Sequence, residues 1–116
     1  MKLLSVCLMA ASLGCATAQP LLISAPQRER FEDVVRNAEA AGAADVPEAA
    51  ARLADARSEL EYAQHLPLYP DRARLLVAKA QADAEQALRS ARDHALVKAA
   101  ARESARHDLL AVAATP

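Results

Sequence analysis

The chain has 116 residues, 12.3 kDa, a formal net charge of −1 and a pI near 6.3, which is room for one small domain. Hydrophobic residues make up 53%, but 31 residues are alanine and only three are aromatic, so the surface available for burial is thin, with each alanine burying about one methyl, ~0.8 kcal/mol. Scarce β-branched and aromatic residues exclude an all-β domain, two isolated glycines exclude a phosphate-cradling loop, and the pI gives no support to nucleic-acid binding by bulk charge.

In chain order, Met1-Lys2 is a minimal positive start, and Leu3 to Leu13 is an unbroken run without charge. That run is too short to span a hydrocarbon core of roughly 30 Å as a helix, but has the length of a signal-peptide apolar region. Two processing sites compete after it. Ser12-Leu13-Gly14-Cys15 resembles the lipobox of bacterial lipoproteins, in which the cysteine is lipidated and becomes the mature N-terminus. Ala16-Thr17-Ala18 before Gln19 is a clean site for ordinary signal cleavage. The Gly14-Cys15 pair directly after the apolar run favours the lipoprotein: residues 1–14 as signal, 15–24 as tether, and Cys15 carrying palmitate-type acyl chains. Cleavage after Ala18 remains the alternative. Cys7 lies inside the apolar run, so the mature chain keeps at most one cysteine and has no internal disulfide.

Beyond residue 24 helix signals dominate. Ser24-Ala25-Pro26-Gln27 has capping-box spacing with proline in the first turn. Phe31, Val34, Val35, Ala38 and Ala41 follow at helical intervals until Gly42 offers a C-terminal cap. Asp45 is the expected N-cap of a restart through Val46, Pro47 and Glu48. Val46, Leu53 and Leu60, with Ala49, Ala56 and Ala63 between them, form a narrow coiled-coil-like seam that a second helix can approach closely. Leu66-Pro67-Leu68-Tyr69-Pro70 ends that helix, because two prolines three apart cannot both lie in a helix interior. From Asp71 to about Val112 there is neither glycine nor proline, and Ala73, Val77, Ala80, Ala84, Leu88, Ala91, Ala95 and Ala99 form one stripe. Its spacing drifts toward eleven residues per three turns, so little left-handed supercoiling is expected.

Residues 25–65 and 70–112 are matched in length. Residues 27–65 carry a net charge of −4 and residues 70–116 a net charge of +2. The expected fold is therefore all-α, a long antiparallel helical hairpin over 25–112 with its first arm broken near residues 42–47 and a short tail at 113–116. The cations Arg89, Arg92, Lys98, Arg102 and Arg106 are expected to lie against the acidic arm. In that arrangement Leu66, Leu68 and Tyr69 form a tip far from the membrane and are the candidate partner-binding residues. Leu21-Leu22-Ile23 would meet Leu109-Leu110-Ala111-Val112 at the other end, covering each other or forming a homo-oligomer contact.

The signal ending Gly14-Cys15-Ala16, Ala41-Gly42-Ala43, the Pro47-Glu48 restart, the arm Ala51-Arg52-Leu53 to Ala63, the Tyr69 turn and the Ala80–Ala84 arm with Asp83 together resemble the domain of unknown function 4398 family of small bacterial envelope lipoproteins. The resemblance covers roughly residues 14 to 100. It implies an all-α, membrane-tethered periplasmic protein with no known catalytic residues. Ala16 stands where a retention aspartate would otherwise stand, which implies sorting to the outer membrane.

Chemistry is not legible. His65, His94 and His107 are scattered, without a second His or Cys at metal-face spacing, and no nucleophile or zinc-hydrolase motif occurs. Glu103 and His107 are four apart and read as a surface ion pair. The expectation is a non-catalytic protein without metal, cofactor, nucleic acid or small-molecule substrate. It would be held to the membrane by its N-terminal lipid and act on an envelope protein as a spacer or interaction module. A soluble periplasmic adaptor or holdase-like binder is the alternative.

Overall fold

The structure, a computed structural model, describes residues 23–116. The proposed signal peptide, Gly14, Cys15, Ala18, Gln19 and the Leu21-Leu22 pair lie outside the described residues. Those residues form three α-helices and one 3-10 turn, without strands: α1 (Ala25–Ala40), the turn Ala43–Asp45, α2 (Pro47–Gln64) and α3 (Pro70–Ala113). At 1.5 Å per residue α1 and α2 are each about 25 Å long and α3 about 65 Å, so the molecule is elongated.

Each boundary has a local cause. At the start of α1 the capping box forms as its spacing requires. The Ser24 Oγ accepts from the Gln27 backbone N–H at 3.3 Å, and the Gln27 Oε1 accepts from the Ser24 N–H at 3.0 Å. Gly42 takes φ +91°, the left-handed conformation that ends helices most cheaply when no Cβ is present. The restart differs from expectation, because Asp45 belongs to the 3-10 turn and caps nothing. Val46 is the N-cap, in extended conformation and without a side-chain cap. Pro47 then occupies the first helical position, where its missing N–H would have had no partner anyway. Glu48 turns outward to Arg52, 3.1 Å away.

The buried core is Ile23, Phe31, Val35, Leu53, Leu60 and ten alanines. Its division among the helices is uneven. From α3 only Ala73, Ala80, Ala84, Ala87 and Ala91 are fully buried, while the bulky side chains come from Ile23, α1 and α2. The alanines let α2 come close, and the Leu53 and Leu60 side chains fill the space between the backbones. Along α2 the seam is as expected: Ala49, Leu53, Ala56, Leu60 and Ala63 are buried and Val46 packs against them.

The break at 41–46 is a reversal and not a kink. Phe31 of α1 shares a cleft with Leu60 of α2 and Val77 of α3, and Glu39 at the end of α1 is ion-paired to Arg57. α1 therefore starts beside the beginning of α3, runs along it, turns over at Gly42, and α2 returns antiparallel. This replaces the full-length hairpin by a bundle of α1, α2 and the first half of α3. Every residue from 92 to 116 is exposed, so Ala95 and Ala99 leave the expected stripe and Ala87 joins it. The physical reason is the Gly42 turn, which places two short helices side by side on one stretch of alanines rather than end to end along all of α3. The expected pairing of chain ends fails with it, since Ile23 is inside the bundle whereas Leu109, Leu110 and Val112 are 73%, 58% and 74% exposed.

Two substitutions separate the covered and uncovered parts of the same helix. Ala84→Leu is expected to destabilise the fold by about 1–3 kcal/mol through overpacking, and Ala99→Leu to leave urea unfolding unchanged. Equal losses would mean that a helix covers both positions. Gly42→Ala is expected to cost ~1 kcal/mol from its backbone angle alone, because the nearest atom to the added Cβ, an Asp45 carboxylate oxygen at 3.7 Å, is at ordinary contact distance.

Candidate functional site

Three surface features carry side chains that the fold brings together. The first is the α2–α3 loop. Its backbone closes through the Tyr69 N–H donating to the Leu66 carbonyl at 3.1 Å, and Pro70 opens α3. Leu66 packs against the core, so it closes the loop. Leu68 and Tyr69 are 84% and 62% exposed, leaving two of the three candidate tip residues available to a partner. The loop lies at the end of the bundle where α1 begins, not at the far end from it.

The second feature is the cleft between the start of α1 and α3. Phe31, Leu60 and Val77 form an apolar floor and Gln27, Arg30, Arg74 and Gln81 line its rim, around a space of about 170 Å³. That volume holds a few waters or a small organic group. Its only titratable rim groups are two exposed arginines, so it offers charge but no base or nucleophile.

The third is an ionic ladder across the α2–α3 seam. Glu48 contacts Arg52 at 3.1 Å, Arg52 reaches Asp83 at 3.7 Å, Asp83 accepts from Lys79 at 2.8 Å, and Lys79 also contacts Glu59. Asp83 and Glu59 are the shielded members, and one Glu59 carboxylate oxygen is buried without a hydrogen-bond partner. The hydrogen bond to Asp83, then that to Glu59, raises the Lys79 ammonium pKa above the usual lysine range. A pKa raised on folding gives stability that is whole below about pH 10 and fades only as alkali titrates the folded group, so this lysine stays charged at neutral pH. Within the helices Glu48–Arg52 and Lys79–Asp83 pair at four-residue spacing. Arg36 pairs with Asp33, and Arg57 bridges to Glu39. Glu103 and His107 lie 3.3 Å apart on the open surface, as their spacing suggests. The ladder links helices and has no open coordination position.

Among the described residues no group of three or more His, Cys, Asp or Glu side chains is placed to hold a metal ion, and no helix is long and apolar enough to cross a membrane. The expected seating of Arg92, Lys98, Arg102 and Arg106 against acidic helices does not occur, since all four are exposed beyond the last residue that α1 and α2 cover. Sequence spacing missed this because alanines continue to Ala99 in unbroken stripe. No family model, curated protein or solved structure matches the chain.

The ladder makes a comparative prediction. Lys79→Met is expected to lower the melting temperature more than Arg74→Met, because it strands the shielded Asp83 and Glu59, whereas Asp71 beside Arg74 is 93% exposed. Equal melting temperatures for the two variants would show the ladder to be energetically silent.

Proposed function

We propose that this chain is a non-catalytic, lipid-anchored helical protein of the bacterial envelope, facing the periplasm from the outer membrane and acting as a spacer and interaction module. The observation that carries the interaction reading is α3 itself. Its first half is a bundle element, and its second half continues for about 33 Å with every residue exposed. Such an arm suits a protein that bridges a distance to a partner. The anchor rests on the apolar run Leu3–Leu13 followed by Gly14-Cys15, and the outer-membrane assignment on Ala16 after Cys15 and on the resemblance to the domain of unknown function 4398 family.

The fold changes the polarity that this reading takes. A tether from Cys15 enters the bundle at Ile23, the end where α2 turns into α3. Leu68 and Tyr69 then face the lipid, and the α3 arm points away from it. The distant contact surface is the arm and not the loop. The holdase-like alternative loses support from the same packing, because the Ala/Leu seam it would expose to clients is occupied by α3.

Intact mass of the protein from a membrane fraction tests the anchor. The expected species begins at Cys15 and carries acyl chains that Cys15→Ala abolishes. A chain beginning at Gln19 without lipid would replace the anchored protein by a soluble periplasmic one.

A further inference from the structure

We infer that the uncovered half of α3 is the seat of an acidic helical partner protein, which continues the bundle where α1 and α2 stop. This deepens the interaction-module reading and rests on it.

Eighteen residues are five full turns of an α-helix, so positions eighteen apart lie on the same line along the helix. Four of the five buried alanines of α3, Ala80, Ala84, Ala87 and Ala91, recur on that line as Lys98, Arg102, Ala105 and Leu109. The contact face of the bundle therefore runs on into the arm with its character changed. Beyond Ala95 it presents two cations, and farther out an alanine and a leucine.

The cations are free. Among the described residues, no carboxylate lies within 4.0 Å of Lys98 or Arg102, nor of Arg92 and Arg106, which flank them. The nearby acid Glu103 is engaged with His107. Leu109, on the line of Lys98 and Arg102, is 73% exposed, an apolar side chain left open on that face.

Charge selects the occupant. A helix laid on this face must place carboxylates opposite Lys98 and Arg102 and small or apolar side chains opposite Ala105 and Leu109. A second copy paired antiparallel about Ala100 sets Lys98 against Arg102 of the other chain, like against like, a pairing that costs affinity. An anionic lipid surface would satisfy the cations but favours an apolar side segregated from them. Here Leu109 shares the line of Lys98 and Arg102, an interleaving that suits a groove or seam between helices.

The test is titration of the purified protein with a synthetic amphipathic peptide whose heptads combine leucine and alanine with glutamate. Sedimentation of the protein alone and binding to phosphatidylglycerol vesicles run alongside. The peptide is expected to bind in a salt-sensitive manner. Lys98→Glu with Arg102→Glu should weaken it by about tenfold or more at unchanged helicity. The milder pair Lys98→Gln and Arg102→Gln should fall between, and a lysine-for-glutamate peptide should not bind. Affinity unchanged by either pair of substitutions, or no binding of the acidic peptide, overturns the proposal. So does self-association or vesicle binding that the same substitutions abolish while the peptide is ignored, which would assign the face to a second copy or to lipid. Because none of these readings depends on Cys15, loss of the anchor in the mass measurement and loss of the arm's partner here are separate results.

Discussion

The constraint on which the structure depends is the smallness of the α3 contact face. Five alanines are all that α3 contributes to the fully buried core, so the helix backbones must approach closely for burial to occur at all. The larger side chains, Phe31, Val35, Leu53 and Leu60, sit on the two helices that come to it. Each buried alanine contributes only about one methyl of transfer free energy. The packing therefore draws its strength from many close contacts between backbones and short side chains. Cover of α3 stops at Ala91, where the Gly42 turn sends the chain back along the same stretch.

The same constraint orders the electrostatics. Alanine contacts leave the flanks of the α2–α3 seam close enough for charged side chains to bridge it, and the ladder from Glu48 to Glu59 occupies that flank. Cations on the arm have no such neighbour. Of the basic residues of α3 only Lys79 is held in a cross-helix pair, while those beyond Ala91 are left to solvent.

Much of this was legible in the residues. Ser24 and Gln27 announce the start of α1, Gly42 its end, Pro67 and Pro70 the loop, and the α2 seam can be read position by position. Two features were not. Whether Gly42 kinks a helix or reverses it depends on which partner face the next helix finds, and a left-handed glycine permits both. Where cover on α3 stops is hidden because alanine has the same spacing and composition on both sides of Ala91, and intrinsic helix preference does not distinguish a buried alanine from an exposed one. On the line through the helix every five turns Ala80 and Ala84 give way to Lys98 and Arg102, but Ala95 intervenes, so that change does not mark the boundary. For the loop, spacing identified Leu66, Leu68 and Tyr69 as a cluster, but which of them turns inward is settled by packing against the last turn of α2.

Every residue of the arm is exposed, yet it is helical to Ala113. Starting a helix in water is the unfavourable step, and extending one is not. Within α3 the bundle supplies that start: by Ala91 the backbone is already wound, and each following residue adds a hydrogen bond to an existing turn. Alanine-rich sequence then propagates the winding outward until it frays near Thr115 and Pro116. The shape of the distal surface is thus inherited from packing far away from it, and whatever loosens the grip of α1 and α2 on α3 would dissolve that surface without touching it. In this protein the bundle acts as a template that keeps a solitary helix in being.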